Sequence, residues 1–345
     1  MLNCSIAIRK LIYWAFFIEN IVTPNKQEVK KAFEFTRSYF WVWAPDAVGL
    51  VNYLSMLMPS KPREQLFINI GYIRHGKSVM YHCLMGKLKT GNTKIISAPG
   101  VKGLVMQVFT IPNYHLVFKI VKDKASPPKN VTKYHVNERY QFVSHHDRVG
   151  RLADTQQFHY LILNKEWFDD QLLDELSKQS SEEVLLENEI VIIKNVYLER
   201  KMVPLDIYIK GEDQRKSIEA IIDYGNAIKE LAEANIFPGD LLIKNFGVTP
   251  DGRVIFYDYD EITKVTDCNF RTFPEYNDDD DMDYFSAEPS YHVAPEDVFP
   301  QEFEKFLIPN GTLKDVFIKH HKELFTARFW QDLKEDLEIT NLKDK

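Results

Sequence analysis

The chain has 345 residues, and its 43 Lys and Arg against 50 Asp and Glu give a formal net charge of −7 at pH 7. With 45% hydrophobic and 27% charged residues it can bury a large core, which excludes a disordered chain. The acidic balance argues against nucleic acid or an anionic membrane as the main partner. Cys4, Cys83 and Cys268 are far apart and lack metal-ligand spacing, so they indicate a reducing compartment.

An apolar run lies close to the amino terminus. Residues 11–17 read LIYWAFF, and Glu19 and Asn20 interrupt the run before it reaches the roughly 20 apolar residues of a membrane helix. No small-residue cleavage site follows, so we predict a core helix or strand rather than a signal peptide. Because soluble domains seldom begin so abruptly, we expect that a segment upstream of this run has been lost.

The first half of the chain predicts one helix followed by strands. Residues 46–58 have helical spacing and end at Pro59. Residues 64–74 and 79–89 are rich in β-branched and aromatic residues, which favour strands. Further strands are predicted over residues 92–96, 104–109 and 116–121. We therefore expect a β-rich region over residues 64–122.

The second half predicts mostly helices. Residues 131–148 and 166–188 have helical patterns, and residues 189–198 (EIVIIKNVYL) suit a strand. Residues 217–235 form the clearest amphipathic helix, with apolar positions three to four apart. The acidic run at 278–283 is interpreted as a solvated loop rather than a metal site. A β-rich segment before a helical one, without a long Gly/Ser linker, predicts an α+β fold of two lobes.

Two features at the start of this fold point to a nucleotide site. Residues 98–103 read APGVKG, and glycines let backbone N–H groups approach a phosphate closely, although an ordinary turn fits this segment too. Lys119 lies inside the apolar strand LVFKIV, where an ammonium is costly to bury unless it is paired. The alternative is an edge-strand lysine that reaches water. Protein kinases hold the ATP phosphates with a strand lysine that follows a glycine loop.

Two further features follow in the order that kinases have. Asp240 and Asn245 have the D-x-x-x-x-N spacing of the kinase catalytic loop, in which the Asp accepts the substrate hydroxyl proton and the Asn holds Mg²⁺. Asp258 follows a turn and a short strand, where kinases place a second Mg²⁺ ligand. The joint order predicts a bilobal protein-kinase-like fold with a β-rich N-lobe and a mostly helical C-lobe.

The pattern departs from ordinary kinases in several respects. No His-Arg-Asp motif leads into the loop that begins at Asp240, and no D-F-G follows it. The lysine of the loop, Lys244, lies four residues after the aspartate instead of two. Glu138, on the next predicted helix, is the candidate partner of Lys119. These departures indicate an atypical kinase.

Longer stretches of sequence are similar to one family of bacterial enzymes. They are FTRSYFWVWAP (35–45), SAPGVKGLVMQVFT (97–110), VFKIVKD (117–123), HDRVGRLADTQQF (146–158), ERKMVPL (199–205), YGNAIKELAEANIFPGDLLIKNFGV (224–248), GRVIFYDYDEI (252–262) and SAEPSYHVAPEDVFPQEF (286–303). On these residues the chain closely resembles the isocitrate dehydrogenase kinase/phosphatase family. The resemblance spans about residues 30 to 330.

The resemblance implies a bifunctional enzyme, a protein serine/threonine kinase and phosphoprotein phosphatase. Its partner would be NADP-dependent isocitrate dehydrogenase, which it inactivates by phosphorylation on serine from ATP and reactivates by dephosphorylation that needs ATP or ADP. This controls flux between the citric acid cycle and the glyoxylate bypass. ATP or ADP and Mg²⁺ are the implied cofactors, and the cytoplasm is the implied location. A homodimer is the candidate assembly, and the oligomeric state stays open.

The resemblance also implies domains and site residues. Residues 1–30 would be the remnant of a regulatory region, 31–204 a kinase-like N-lobe with inserted helices, and 205–345 the C-lobe. The residues implied for ATP binding are Ala98, Pro99, Gly100, Val101, Lys102, Gly103 and Leu104, with Lys119, and with Glu199 and Met202 in the hinge that holds the adenine. The residues implied for catalysis are Asp154, Asp240 and Asp260, and those for Mg²⁺ are Asn245 and Asp258.

Asp154 has no spacing signal of its own and would otherwise be interpreted as a turn aspartate; near the metal site its carboxylate could position water for dephosphorylation. Members of the family carry a large helical regulatory domain before the kinase-like part and extend past the end of this chain. Two alternatives therefore stay open. One is a truncated fragment, weakly active or inactive, that binds nucleotide or the dehydrogenase, and the other is an atypical kinase with a different protein substrate.

Overall fold

The computed structural model describes residues 6–12, 15–22, 40–42, 45–59, 61–70, 76–99, 102–127, 129, 131–146, 150–211, 213–250, 252–273, 293–308 and 311–343. Gly100 and Val101 of the predicted ATP segment, and the acidic run at 278–283, lie outside these residues. The chain divides into two compact units, Met1–Met202 and Val203–Lys345. Within the described ranges, no helix has both the length and the apolar content needed to span a bilayer.

The first unit begins with a small antiparallel sheet. Its strands are Ile6–Ile12 (β1), Ala15–Val22 (β2) and Phe40–Val42 (β3), in the order β2-β1-β3. Three helices follow: Ala47–Leu57 (α1), Arg63–Ile70 (α2) and Gly76–Thr90 (α3). The predicted helix over 46–58 is confirmed by α1, which begins where the Asp46 carboxylate accepts a hydrogen bond from Gly49 N at 2.9 Å.

The strand predicted over 79–89 is wrong, since α3 occupies that segment, and the strand predicted over 64–74 is wrong over residues 64–70, which belong to α2. Residues 71–74 lie outside the described residues. The β-branched and aromatic composition favoured strands locally, but packing decides the structure. In α3 the buried residues Met80, Leu84 and Leu88 recur every four positions, which places them on one face of the helix. That face belongs to the same core cluster as the main sheet of the unit, so burial stabilises the helical conformation.

The main sheet of the first unit is antiparallel and carries Lys119 and Glu199, two of the predicted ATP residues. Its strands are Ile96–Ser97 (β4), Met106–Thr110 (β5), Leu116–Val121 (β6), Thr155–Asn164 (β7), Val184–Leu186 (β8) and Ile190–Arg200 (β9). The strand order is β4-β5-β6-β9-β7, and β8 also pairs with β9. The strand predicted over 116–121 is confirmed by β6. Strands β6 and β9 are neighbours although their paired residues are far apart in the sequence, as Lys119 and Tyr197 are.

Two helices of the same unit lie between these strands in the chain: Lys133–His146 (α4) and Asp170–Gln179 (α5). The helix predicted over 131–148 is confirmed by α4. The helix predicted over 166–188 is limited to α5, because β8 after it pairs with β9 instead. Leu172 and Leu176 of α5 are buried in the core cluster that includes the strands and α3.

The second unit is mostly helical. Its helices are Leu205–Tyr208 (α6), Gln214–Glu233 (α7), Phe303–Phe306 (α8), Thr312–His321 (α9) and Ala327–Lys343 (α10). Short strands Val203–Pro204 (β10), Phe246–Val248 (β11) and Val254–Phe256 (β12) form one antiparallel sheet, and Asn269–Phe270 (β13) pairs in parallel with Asp297–Val298 (β14). The amphipathic helix predicted over 217–235 is confirmed by α7. A sheet-rich first unit and a helical second unit confirm the α+β class.

Candidate nucleotide and phosphotransfer site

The strand lysine of the first unit is paired with a buried carboxylate. In the antiparallel ladder Lys119 of β6 lies opposite Tyr197 of β9, and Glu199 lies opposite Val117. Lys119 and Glu199 therefore share one face of the sheet as diagonal neighbours. The distance from Lys119 Nζ to Glu199 Oε2 is 2.7 Å, and the two side chains are 11% and 1% exposed. This pairing explains how an ammonium is accommodated inside an apolar strand.

Glu199 also connects two other elements to the lysine. Its Oε1 accepts hydrogen bonds from Tyr140 Oη of α4 at 3.2 Å and from Thr155 Oγ1 of β7 at 3.1 Å. Burial raises the pKa of the Glu199 carboxyl, and the Lys119 ammonium opposes that effect by favouring the carboxylate. Because three elements converge on one carboxylate, the position of Lys119 is fixed by the core of the unit.

Glu138 is not the partner of Lys119 in the structure. It lies on an exposed face of α4, where it accepts a hydrogen bond from the Tyr134 hydroxyl one turn earlier. The sequence offered Glu138 because it is the next acidic residue on a predicted helix. The sequence signal for Glu199 is an acidic residue directly after the apolar run at residues 196–198 of a predicted strand. Only the pairing of β6 with β9 brings Glu199 and Lys119 together.

The described residues of the glycine segment lie at the edge of the same sheet. Ala98 N donates to Val108 O of β5 at 2.9 Å, and Lys122 Nζ donates to Gly103 O at 2.7 Å. Pro99, Lys102, Gly103 and Leu104 are exposed, and Ala98 is partly exposed. The segment is therefore hydrogen-bonded to β5 at its start and, near its end, to Lys122, which directly follows β6.

Asp154 is buried immediately before β7. Its side chain belongs to a residue that is only 3% exposed, and Gln156 Nε2 donates to its Oδ1 at 3.2 Å. The next residue, Thr155, donates to Glu199, so Asp154 adjoins the residues around Lys119 in the first unit. Met202, which follows β9, is partly exposed.

The second unit brings its predicted residues together on two adjacent segments. Asp240 Oδ1 accepts from Leu242 N at 2.9 Å, and Asn245 Nδ2 donates to Asp240 O at 3.2 Å. Asn245 is 3% exposed, so its amide is fixed by the loop that Asp240 begins. Beneath the loop, the buried Tyr224 hydroxyl donates to Leu241 O. Burial raises the pKa of that hydroxyl well above its ordinary value.

Backbone hydrogen bonds connect this loop to the segment that carries Asp258 and Asp260. Phe237 and Thr263 exchange two bonds of 2.8 Å, and Tyr257 N donates to Asn245 O at 3.1 Å. The loop is therefore held at both of its ends. Asp258 and Asp260 are both partly exposed between these two attachments.

A glycine makes the close approach of the two segments feasible. Gly239 has φ +77°, and a Cβ at this position would lie 2.4 Å from the Glu261 carbonyl oxygen. Only glycine adopts this conformation without strain and without displacing that carbonyl. The Pro-Gly dipeptide before Asp240 thus serves the packing of the loop as well as ending the preceding segment.

The second unit also offers oxygen ligands suited to a hard cation. Asn245 precedes β11 and Asp258 follows β12, and these strands pair directly. Mg²⁺ usually takes one or two protein carboxylates and completes its shell with phosphates and water. An amide and a carboxylate match this donor set. A cluster of three or more His, Cys, Asp or Glu side chains suited to a metal does not occur in the described ranges.

Comparison with known proteins identifies the family. The model for the kinase domain of isocitrate dehydrogenase kinase/phosphatase (AceK) matches residues 93–345, and the model for the regulatory domain of that enzyme matches residues 3–92. The chain belongs to the isocitrate dehydrogenase kinase/phosphatase family. The resemblance found in the sequence is thereby confirmed.

Curated relatives show the extent of the similarity. The isocitrate dehydrogenase kinase/phosphatase of Photorhabdus laumondii subsp. laumondii is 43% identical over 330 residues, and that of Serratia proteamaculans is 42% identical over 332 residues. The alignments cover 95% and 96% of this chain and 56% of each relative, so the chain spans little more than half the length of these proteins. Among solved structures, the ROP18 kinase domain in complex with AMP-PNP and sucrose aligns at 12% identity with a TM-score of 0.32, over 55% of this chain and 64% of that chain.

The family models divide the chain between residues 92 and 93. The predicted regulatory remnant, residues 1–30, is shorter than the segment that the regulatory model matches. The assignment of residues 31–204 to a kinase-like N-lobe, and of 205–345 to the C-lobe, stays a prediction.

Proposed function

We propose that the chain carries out the kinase and phosphatase reactions of this family. It would transfer phosphate from ATP to a serine of NADP-dependent isocitrate dehydrogenase, and remove it again, and so control flux into the glyoxylate bypass in the cytoplasm. The observation that carries the proposal is the buried Lys119–Glu199 pair in a chain whose family is that of isocitrate dehydrogenase kinase/phosphatase.

In the first unit, we assign nucleotide binding to the sheet. Lys119 contacts the ATP phosphates, and Glu199 orients its ammonium through the 2.7 Å contact. Residues 98–104 contribute the glycine segment that lies against the phosphates. The backbone around Glu199 and Met202 holds the adenine.

In the second unit, we assign proton transfer and metal binding to the two connected segments. Leu242 N occupies Asp240 Oδ1 and fixes the carboxylate, so Oδ2 is the oxygen that accepts the serine proton. Asn245 and Asp258 would hold Mg²⁺, which when bound neutralises charge on the phosphates.

Phosphate removal needs a water molecule in place of the serine hydroxyl. We assign Asp154 to positioning that water, since its buried carboxylate is oriented by Gln156, and Asp260 to the same reaction. Attack of water on phosphorus breaks the bond to the serine oxygen, and that oxygen recovers a proton.

The proposal is tested by incubating the purified chain with Mg²⁺, radiolabelled ATP and isocitrate dehydrogenase. We expect label on serine, and we expect Lys119→Met and Asp240→Ala to abolish it. Lys124→Met, at an exposed lysine near β6, is the matched control and should leave labelling unchanged. Full labelling by Asp240→Ala would contradict the assignment. Nucleotide binding without transfer by the parent chain would indicate a non-catalytic fragment, and transfer to another protein alone a different substrate.

The role of Asp154 has its own test. Asp154→Ala should slow release of phosphate from phosphorylated dehydrogenase at least as much as it slows phosphorylation. Release at the parental rate would contradict the role that we assign to this carboxylate.

A further inference from the structure

One carboxylate contacts both ends of the glycine segment. Glu175 of α5 accepts a hydrogen bond from Ser97 Oγ through Oε2 at 2.8 Å, and its Oε1 lies 2.6 Å from Lys102 Nζ. Ser97 precedes the segment and Lys102 is near its end. The two contacts therefore fix the separation between the start and the end of the segment through a single side chain.

Glu175 is suited to this task because its helix is rigidly attached. Leu172 and Leu176 anchor α5 in the core of the first unit. At the start of the helix, Ile95 N donates to Trp167 O at 2.6 Å, and Asp169 N donates back to Ile95 O at 2.9 Å. The strand that leads into the glycine segment is thus bonded to the residues that begin α5.

The charges around the segment are also arranged in a specific way. Glu175 has a pKa lowered to about 2, chiefly because the Lys102 ammonium bonds to it, so it stays ionised at neutral pH. Lys122 donates to Gly103 O nearby, and its own pKa is lowered by desolvation and by Lys102. Two ammonium groups and one carboxylate leave net positive charge beside the segment, as a phosphate ligand requires.

We propose that Glu175 is a positioning residue for nucleotide binding, because it holds Ser97 and Lys102 and thereby fixes the distance between the two ends of the segment assigned to the ATP phosphates. The proposal rests on the proposed function of residues 98–104 as the ATP segment. Glu175 itself would not contact the nucleotide.

The test compares two variants on the same helix. Glu175→Gln removes the charge that holds Lys102, whereas Asp174→Asn removes only the exposed ion pair between Asp174 and Lys178. A charge-assisted hydrogen bond corresponds to about a tenfold change in an equilibrium constant. We expect Glu175→Gln to raise the Kd and KM for ATP about tenfold with kcat within about twofold of the parent. Asp174→Asn should change neither constant.

Two further measurements separate positioning from a general structural defect. Lys102→Met should raise the Kd for ATP. In the double variant Lys102→Met with Glu175→Gln, the fold-increase in Kd should be smaller than the product of the two single fold-increases, because both substitutions remove the same contact. Trypsin cleavage after Lys102 should be faster in Glu175→Gln than in Asp174→Asn, which reports loosening of the segment without any activity measurement.

Failure of this proposal is distinguishable from failure of the proposed function. If the parent chain binds ATP and Glu175→Gln has an unchanged Kd, or shifts no more than Asp174→Asn, the positioning role is refuted and the function stands. If the parent chain binds no ATP, the proposed function fails and the positioning role fails with it. Multiplicative effects of Lys102→Met and Glu175→Gln would also overturn the proposal.

Discussion

The buried pair of Lys119 and Glu199 allows the sharpest test of how the first unit is built. Replacing Glu199 by Gln preserves the shape of the side chain but removes the carboxylate charge 2.7 Å from the Lys119 ammonium, which is only 11% exposed. Breaking a buried pair by removing one charge typically costs 3–5 kcal/mol. Because Gln can still accept one hydrogen bond, we expect a loss of about 3 kcal/mol in the free energy of unfolding.

Replacing the lysine of the pair instead makes the free energy of unfolding depend on pH, and the pKa of Glu199 gives the sign of that dependence. Burial already raises the pKa of Glu199, and Lys119→Met removes the ammonium that opposes this effect. The folded chain then binds a proton that the unfolded chain releases near pH 4.3, so stability is highest below that pH and falls as pH rises toward the folded pKa. The slope should reach at most about 1.4 kcal/mol per pH unit.

Urea unfolding followed by circular dichroism, at several pH values between 5 and 8, measures both effects. Lys178→Met, which removes an exposed ion pair, is the control and should change the free energy of unfolding by about 0.5 kcal/mol or less. The double variant Lys119→Met with Glu199→Gln should be less destabilised than the sum of the single variants, since no unpaired charge remains. Strict additivity, or a pH-independent Lys119→Met profile, would refute the reasoning.

Three further predictions concern the second unit, and one of them uses Gly86 of α3 in the first unit as its comparison. Gly239→Ala should lower transfer activity and destabilise the chain by about 2 kcal/mol or more, because the backbone φ is positive and the new Cβ would clash with the Glu261 carbonyl. Gly252→Ala should cost only about 1 kcal/mol, because its φ is also positive, at +85°, but no atom lies close to the new Cβ. Gly225→Ala should be strongly destabilising, since its Cβ would lie 2.2 Å from the His321 ring, whereas Gly86→Ala, in a helix with nothing within 4 Å, should stabilise by about 0.5–1 kcal/mol. Burial lowers the pKa of His321, so stability should fall as pH drops below about 6.5, and His321→Gln should flatten this part of the profile.

These outcomes are read by thermal and urea unfolding, with phosphate transfer assayed in parallel for Gly239→Ala. Equal effects at Gly239 and Gly252 would show that the close contact between Gly239 and the Glu261 carbonyl contributes nothing to stability. A stable Gly225→Ala variant would mean that the helix pair α7 and α9 can separate at little cost.

Much of this protein could be predicted from local sequence. The strand LVFKIV and the amphipathic helix α7 follow from hydrophobic period, because every residue that sets the period lies within one segment. The order of the glycine segment, Lys119, Asp240, Asn245 and Asp258 predicted a kinase-like site, and longer motifs identified the family. Each of these motifs can be recognised in the sequence because it consists of residues that are close together in the chain.

Other features were settled only by tertiary structure. Residues 64–70 and 79–89 have strand-like composition, yet they lie in α2 and α3, because apolar residues four positions apart are buried in cores that other segments complete. The partner of Lys119 was misplaced on α4, because the sequence does not state that β6 lies beside β9. The pairing of strands and the contacts of helices depend on the burial and hydrogen bonding of the whole folded chain. Glu199 therefore contacts Lys119, and Glu175 contacts Lys102, only when distant segments come together. The 345 residues and the charge of −7 limited the class of protein, the motifs gave its family, and the packing decided which carboxylates hold the lysines.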